Sequence, residues 1–143
     1  MVDKKTERLL NDIQFARQVE DFIDAIKPHQ TVADHLNRLM EQRSLKSLDV
    51  IHKADIDPGY GHEIFSGKKV SPSRNYLLRL AFALELDFKE TQRLLAIGKQ
   101  GTLYPKERRD AVIIYCLEKK YDVMAVDELL YECDEEPLNV GRF

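Results

Sequence analysis

Apolar residues recur every three or four positions through most of the chain, which is the spacing of amphipathic helices. The first such pattern covers residues 6–27 and predicts one long helix that ends at Pro28. Its apolar positions are Leu9, Ile13, Ala16, Val19, Ile23 and Ile26. The width of this apolar side suits packing on the same domain, and the alternative is contact with a second copy or another partner.

Capping signals divide the middle of the chain into shorter helices. Thr31 and Asp34 have capping-box spacing and predict the start of a helix. Its apolar positions are Val32, Leu36, Leu39 and Met40. Ser44 and Ser47 are alternative caps for the following helix. The residues of that helix that we expect in the core are Leu48, Val50, Ile51 and Ala54.

Proline and glycine mark the ends of the next helices. Asp57 before Pro58 predicts a helix start, because a carboxylate accepts from free N–H groups and proline suits the first helical position. This short helix should end near Ser66, with Gly67 after it. Residues 71–72, Ser-Pro, repeat the start signal. The core positions of the helix that follows are Tyr76, Leu77, Leu80, Ala81 and Leu84.

The last third of the chain continues the helical pattern. Asp87 and Glu90 form a second capping box, for a helix that stops at Gly98. Pro105 is expected to open a helix that ends near residue 120, and Asp122 to cap a final one. The core positions of this pair are Ala111, Val112, Ile114, Tyr115 and Leu117, then Val126, Leu129 and Leu130. The whole pattern predicts an all-α protein.

Composition adds bounds on the class of protein. The chain has 143 residues, is 33% charged and carries a net charge of −3, which suits one domain with an appendage. No apolar run is long enough to cross a membrane, and the charged first residues do not resemble a signal peptide, so we expect a cytoplasmic protein. Residues 31–98 carry 10 basic and 9 acidic side chains, a smaller excess than nucleic-acid-binding proteins usually show.

Residues 31–98 resemble the phage-repressor-type (XRE, lambda-repressor-like) helix-turn-helix family. The residues that carry the resemblance are Leu45, Val50-Ile51, Ile56-Asp57, Ile64, Gly67-Lys68-Lys69 and Pro72, followed by the segment LLRLAFALEL at 77–86. The resemblance implies a helix-turn-helix domain at residues 29–98, preceded by the N-terminal amphipathic helix at 1–28. Residues 99–143 resemble a helical extension that follows such domains in bacterial proteins.

By this resemblance, residues 58–66 form the helix that enters the major groove. Its expected exposed positions are Gly59, Tyr60, His62, Glu63 and Ser66. Arg, Lys, Asn and Gln make the paired hydrogen bonds that discriminate bases, and none of them is present there. Gly59 and Gly61 should also weaken the helix by roughly 1 kcal/mol each. We therefore expect Tyr60 and His62 to make the contacts that remain available to the helix.

Phosphate contacts are better supplied by the residues around that helix. Lys68, Lys69, Ser73 and Arg74 follow it, at positions where the family commonly touches the DNA backbone. Residues 46–47, Lys-Ser, open the preceding helix, whose N–H groups can also face a phosphate. A second basic cluster, formed by Lys106, Arg108 and Arg109, stands beside Glu107 and Asp110 and is interpreted as a surface ion-pair face.

Motifs for catalysis are weak throughout. Residues 61–69 approach a phosphate-binding loop, but five residues separate the two glycines instead of four, and Lys69 replaces the magnesium-binding hydroxyl. The histidines lack the spacing of a helical zinc site. Cys116 and Cys133 have apolar or unrelated neighbours, and we expect buried, unreactive thiols. We expect no enzymatic activity, no cofactor and no bound metal.

Two functional hypotheses remain. The first is a DNA-binding transcriptional regulator that occupies an operator on double-stranded DNA, as a dimer formed by the N-terminal helix or the last helical pair. The alternative is a protein-interaction adaptor that keeps the helix-turn-helix fold without sequence-specific DNA readout. The non-basic groove helix and the acidic C-terminal third favour the adaptor, and the ordered helix-turn-helix pattern favours the regulator.

Overall fold

A computed structural model describes residues 3–26 and 30–139, and every regular element in these two ranges is helical. The first element, α1 (Lys4–Gln14), begins where the Asp3 carboxylate accepts from the Thr6 N–H at 2.7 Å. Single turns of 3-10 helix follow at Val19–Asp21 and Ile23–Ala25. The all-α class is thus confirmed for the described residues, none of whose helices is long and apolar enough to cross a membrane.

The single long helix predicted for residues 6–27 is wrong. The helix ends at Phe15, and the Asp21 carboxylate accepts from the N–H groups of Arg17 and Gln18, at 3.1 and 3.4 Å. These two N–H groups would otherwise continue the helical ladder. No residue of α1 or of the two 3-10 turns is buried, so tertiary packing does not extend the helix either. The predicted stop at Pro28 lies outside the described residues.

Three short helices follow: α2 (Val32–Gln42), α3 (Ser47–Lys53) and α4 (Pro58–Ser66). The Thr31 hydroxyl caps α2 by accepting from the Asp34 N–H at 3.1 Å, as predicted. The predicted serine cap of α3 is wrong, because Ser44 adopts a left-handed conformation that ends α2, and Lys46 precedes α3 without a side-chain cap. Leu48 is 58% exposed, also contrary to prediction.

The helix α4 has the predicted bounds, and it packs unusually close to α3. The Asp57 carboxylate accepts from the Tyr60 N–H at 3.2 Å, and Gly67 ends the helix at φ +86°. A Cβ placed on Gly61 would lie 2.7 Å from three side-chain carbons of the buried Ile51. The absence of a side chain at residue 61 is therefore what allows the two helices to approach. Glycine at residue 61 lowers the helix propensity of α4 but allows α4 to pack closely on α3.

Two further helices, α5 (Arg74–Ala83) and α6 (Phe88–Ile97), complete the central bundle. Ser73 caps α5, so this helix begins two residues later than the Ser-Pro signal at 71–72 predicts. The capping box of α6 is confirmed in both directions, because Asp87 accepts from the Glu90 N–H at 2.8 Å and Glu90 accepts from the Asp87 N–H at 3.1 Å. The predicted core positions of α5 are buried except for Tyr76, which is half-buried.

The C-terminal pair consists of α7 (Arg108–Lys119) and α8 (Val123–Glu132). Asp122 caps α8 as predicted, by accepting from the Ala125 N–H at 2.8 Å. The predicted start of α7 at Pro105 is wrong by three residues. Its predicted core side is correct in part, because Leu117 is buried and Val112 and Ile114 pack against the core, whereas Tyr115 is exposed. The residues of α7 that are buried are Asp110, Ile113, Cys116 and Leu117. The buried side of α7 differs from the predicted one because it includes a charged residue, Asp110.

One apolar core joins the central bundle to the C-terminal pair. Its buried residues form a single cluster that runs from Val32 to Leu138 and includes side chains from every helix from α2 to α8. Residues 3–26 contribute nothing to it. The helices α2–α8 therefore pack as one unit, in which α4 and the C-terminal pair share the same core.

We expect Gly61→Ala to lower the free energy of unfolding by about 1–3 kcal/mol, the usual cost of adding a methyl group to a packed core. Urea denaturation followed by circular dichroism measures the change. Gly59→Ala, on the exposed side of the same helix, is the matched control and should stay within about 1 kcal/mol of wild type because it gains helix propensity. Equal stability of Gly61→Ala and wild type would contradict the close approach of α3 and α4.

Candidate nucleic-acid interface

The outer side of α4 carries the side chains that the sequence predicts for it. Gly59, His62 and Ser66 are exposed and Glu63 is half-buried, whereas Ile64 and its neighbour Phe65 are buried. The Ser66 hydroxyl donates to the Glu63 carbonyl at 3.2 Å. His62 is thus the one side chain on this side with a ring N–H free to donate to a base or a phosphate.

Tyr60 differs from its predicted role as a fully exposed contact. Its ring stacks on Tyr76 of α5, with ring centroids 4.4 Å apart and planes inclined by 23°. Arg79 continues the stack, with its guanidinium 4.8 Å from the Tyr76 ring centre. Burial, and then the neighbouring Tyr76 and Glu63, raise the pKa of Tyr60, so its hydroxyl stays protonated and can donate. The ring therefore contributes to packing, and the hydroxyl can still donate a hydrogen bond to a ligand.

Arg79 is a residue of this region that sequence reasoning missed. It is buried in α5, and its guanidinium donates to the carbonyl oxygens of Ala54 and Asp55 at the end of α3. These carbonyls belong to the turn that joins α3 to α4. An arginine within the apolar pattern of α5 gives no local sign of this contact, because its acceptors lie 24 and 25 residues away.

Lys68 and Lys69 follow Gly67, and their side chains extend back towards α4. The Lys68 ammonium is 3.9 Å from the Glu63 carboxylate, and the Lys69 ammonium is 5.7 Å from the centre of the Tyr60 ring. Both lysines are exposed, and the side chain of Lys68 is 78% accessible. An ion pair this open contributes little, so the Lys68 charge remains available to a ligand. The two charges border the outer side of α4.

The other predicted phosphate contacts occupy helix starts. Lys46 is exposed immediately before α3, and Ser47 is its first residue. Ser73 is exposed before α5, where its hydroxyl oxygen accepts from the Tyr76 N–H at 3.5 Å. That hydroxyl can still donate its own proton to a phosphate. All three positions are compatible with a contact to the DNA backbone.

The guanidinium of Arg74 is bonded to other parts of the fold, and its side chain is 25% accessible. Its two terminal nitrogens each donate to the Asp110 carboxylate at 2.9 Å, in a bidentate pair. Its remaining donors reach the carbonyl oxygens of Gly101 at 2.8 Å and Thr102 at 3.1 Å. These bonds occupy four of its five N–H donors. We therefore assign Arg74 to the junction between α5, α7 and the linker that joins α6 to α7 (residues 98–107), and we leave it out of the proposed DNA contacts.

Asp110 is the buried partner in this junction. Burial disfavours its ionised form, but hydrogen bonds from Arg74 and from the Tyr104 N–H, together with the charges of Arg74 and Arg109, outweigh burial and lower its pKa. The carboxylate stays ionised at neutral pH. It holds the guanidinium of Arg74 and the backbone of the linker in one arrangement.

In the second basic cluster, Arg108 and Arg109 bond to residues other than Glu107 and Asp110, their acidic neighbours in the sequence. Arg108 pairs with Glu135 at 3.2 Å, and Arg109 donates to Asn75 and to the carbonyl oxygens of residues 136 and 137. The predicted ion-pair role is therefore met by Arg108 alone, with a partner in the segment that follows α8 (residues 133–139). The two arginines hold this segment against α7.

Reactive groups are scarce in the described part of the chain. Burial raises the pKa of the Cys116 thiol to about 12, which removes it as a nucleophile at neutral pH. Cys133 is half-buried, so the prediction of two buried thiols holds for Cys116 alone. No group of three His, Cys, Asp or Glu side chains within residues 3–26 and 30–139 could hold a metal ion.

Comparison with known proteins gives no further assignment. No family model, no curated protein sequence and no solved structure matches this chain.

We expect Asp110→Asn to lower the free energy of unfolding at pH 7 by about 2 kcal/mol, because Arg74 would keep its donors and lose its charged acceptor. A carboxylate with a lowered pKa stabilises the fold above the unfolded-state pKa, and this contribution is lost as the pH falls through the folded-state pKa. The difference between wild type and variant should therefore shrink below about pH 4. Urea denaturation across pH 3–8 measures it.

Glu118→Gln, an exposed position on the same helix, is the matched control and should change stability by less than about 0.5 kcal/mol. A pH-independent difference for Asp110→Asn would contradict the charged pair.

Proposed function

We propose that the chain is a DNA-binding transcriptional regulator of the phage-repressor-type helix-turn-helix family, in which α4 enters the major groove. The observation that carries the proposal is the placement of Lys68 and Lys69 beside the exposed side of α4. A groove helix needs positive charge at its edge to bind the flanking phosphates. Arg79 fixes the short turn between α3 and α4, and this arrangement supports the same proposal.

The chemistry of α4 favours positioning over base readout. His62 can make one hydrogen bond to a base edge, and the Tyr60 hydroxyl can donate to a phosphate. The small outer residues Gly59 and Ser66 allow the helix backbone to come close to the groove. In this proposal specificity derives largely from the shape and deformability of the DNA. The regulator would act in the cytoplasm, without a cofactor, by occupying its site.

The second candidate is the protein-interaction adaptor, and one observation favours it. The N-terminal segment leaves large apolar side chains in solvent, among them Phe15 at 83% exposure and Val19 at 56%. Apolar side chains concentrated in this way are typical of surfaces that contact another chain. A second copy at this surface would give the dimer expected of a regulator, and a different protein there would give the adaptor.

Titration of labelled duplex DNA from the upstream region of the gene, at several salt concentrations, tests the first proposal. Lys68→Ala/Lys69→Ala should weaken binding at every salt concentration. It should also reduce the slope of log K against log salt by about 1.8, at ~0.9 for each lost phosphate contact. Lys89→Ala/Lys106→Ala is the control, because it removes the same charge from exposed residues that lie outside both the edge of α4 and the N-terminal segment.

The control pair should leave both the affinity and the slope near wild type. Absence of binding at about 50 mM salt would contradict the regulator and leave the adaptor. An equal loss in the two double variants would show that DNA senses overall charge and has no preferred contact with the edge of α4.

A further inference from the structure

A small cleft opens between α2 and α6, on helices other than the groove helix α4. Its volume is about 240 Å³. The side chains that line it are His35, Arg38, Leu39, Gln42, Glu90 and Arg93. Two arginines and one histidine thus line a space large enough for a small ion. No part of the proposed DNA-binding surface lies in it.

The imidazole of His35 presents a donor to this cleft. The residue is 6% exposed, and its Nδ1 atom lies 3.5 Å from a terminal nitrogen of Arg38. A guanidinium can only donate, so Nδ1 is the acceptor and the ring proton resides on Nε2. Every fully buried side-chain nitrogen in the described residues has a hydrogen-bond partner. The Nε2 atom of His35 has no partner among these residues, so it is not fully buried. The Nε2–H group is therefore accessible from the cleft.

The one carboxylate in the cleft is already engaged. One oxygen of Glu90 accepts from Arg43 at 2.7 Å, and the other accepts from the Asp87 N–H at 3.1 Å. Arg38 and Arg93 form no ion pair with any residue in the described ranges. The cleft accordingly has an excess of donors and of positive charge.

The same charges act on His35. Burial first, and then the positive charges of Arg38 and Arg93, lower its pKa, and the opposing effect of Glu90 is smaller. The ring is therefore neutral at neutral pH, with its proton on Nε2. An anion placed between the two arginines would offset their effect and raise the pKa of His35 towards its ordinary value.

We propose that this cleft binds a small oxyanion, a phosphate or carboxylate group, between the guanidinium groups of Arg38 and Arg93 and the Nε2–H of His35. Charge-assisted hydrogen bonds from guanidinium groups match the geometry of both kinds of oxyanion. Gln42 adds a side-chain amide that can donate as well. The assignment is independent of the proposed DNA binding, because none of these residues belongs to that surface.

Titration of labelled protein with inorganic phosphate, at constant ionic strength, tests the proposal through the NMR signals of the His35 ring. We expect a saturable shift with a dissociation constant on the order of millimolar. Arg93→Gln should weaken this binding about tenfold, since it removes one charged donor while keeping a polar side chain on α6. Arg93 is exposed on α6, so the variant should fold as wild type does.

Lys89→Gln removes the same charge from an exposed position of α6 outside the cleft and is the matched control. It should change the dissociation constant by less than about twofold, as expected for a screened surface charge. A parallel titration with acetate identifies which oxyanion the cleft prefers, and saturable binding of either one supports the site. In wild type, saturation should also raise the pKa of His35.

Three results would overturn the proposal. The first is a shift of the His35 signals that grows without saturation for both anions. The second is an equal loss of binding in Arg93→Gln and Lys89→Gln. The third is a response of His35 to duplex DNA with no response to either small anion, which would assign the cleft to the nucleic-acid backbone instead.

Discussion

The guanidinium of Arg74 joins parts of the protein that are distant in sequence. It pairs with Asp110 at the start of α7 and donates to the carbonyl oxygens of residues 101 and 102 in the linker. Because Asp110 is buried, this pair fixes where α7 and α8 sit on the central bundle. The family resemblance places this charge against DNA, whereas in the structure it is bonded to Asp110 and the linker, which leaves Arg74 out of the candidate contacts.

A second constraint, the close packing of α3 on α4 at Gly61 and Ile51, sets the position of the candidate interface. This packing exposes one side of α4, a short helix. The side chains there are small and nearly uncharged, and Lys68 and Lys69 lie at the border. Such a surface suits contacts with phosphates and with the shape of DNA more than contacts with individual bases. The proposed function rests on this arrangement, and the exposed apolar N-terminal segment is where the proposal places a second chain.

Local chemistry accounts for what the sequence predicts well. The bounds of α4 and the capping box of α6 depend on residues within a few positions of one another, such as Asp57 and Gly67. The failures have local and tertiary causes. The contacts of Asp21 and the left-handed conformation of Ser44 are local features that an apolar pattern does not show. An isolated apolar pattern cannot show that the N-terminal segment finds no surface to pack on. The buried side of α7 depends on Asp110 pairing with a residue 36 positions away, and the cleft at His35 combines two distant helices.

The most direct test of the central claim maps the contact of duplex DNA on the isotope-labelled protein by amide chemical-shift changes. The account predicts the largest changes in α4, in residues 67–71 and at the start of α3, and little change at residues 101–110, where Arg74 is bonded. Changes confined to the C-terminal pair or to α1 would contradict it. So would the absence of any change at about 50 mM salt, where phosphate contacts are strong.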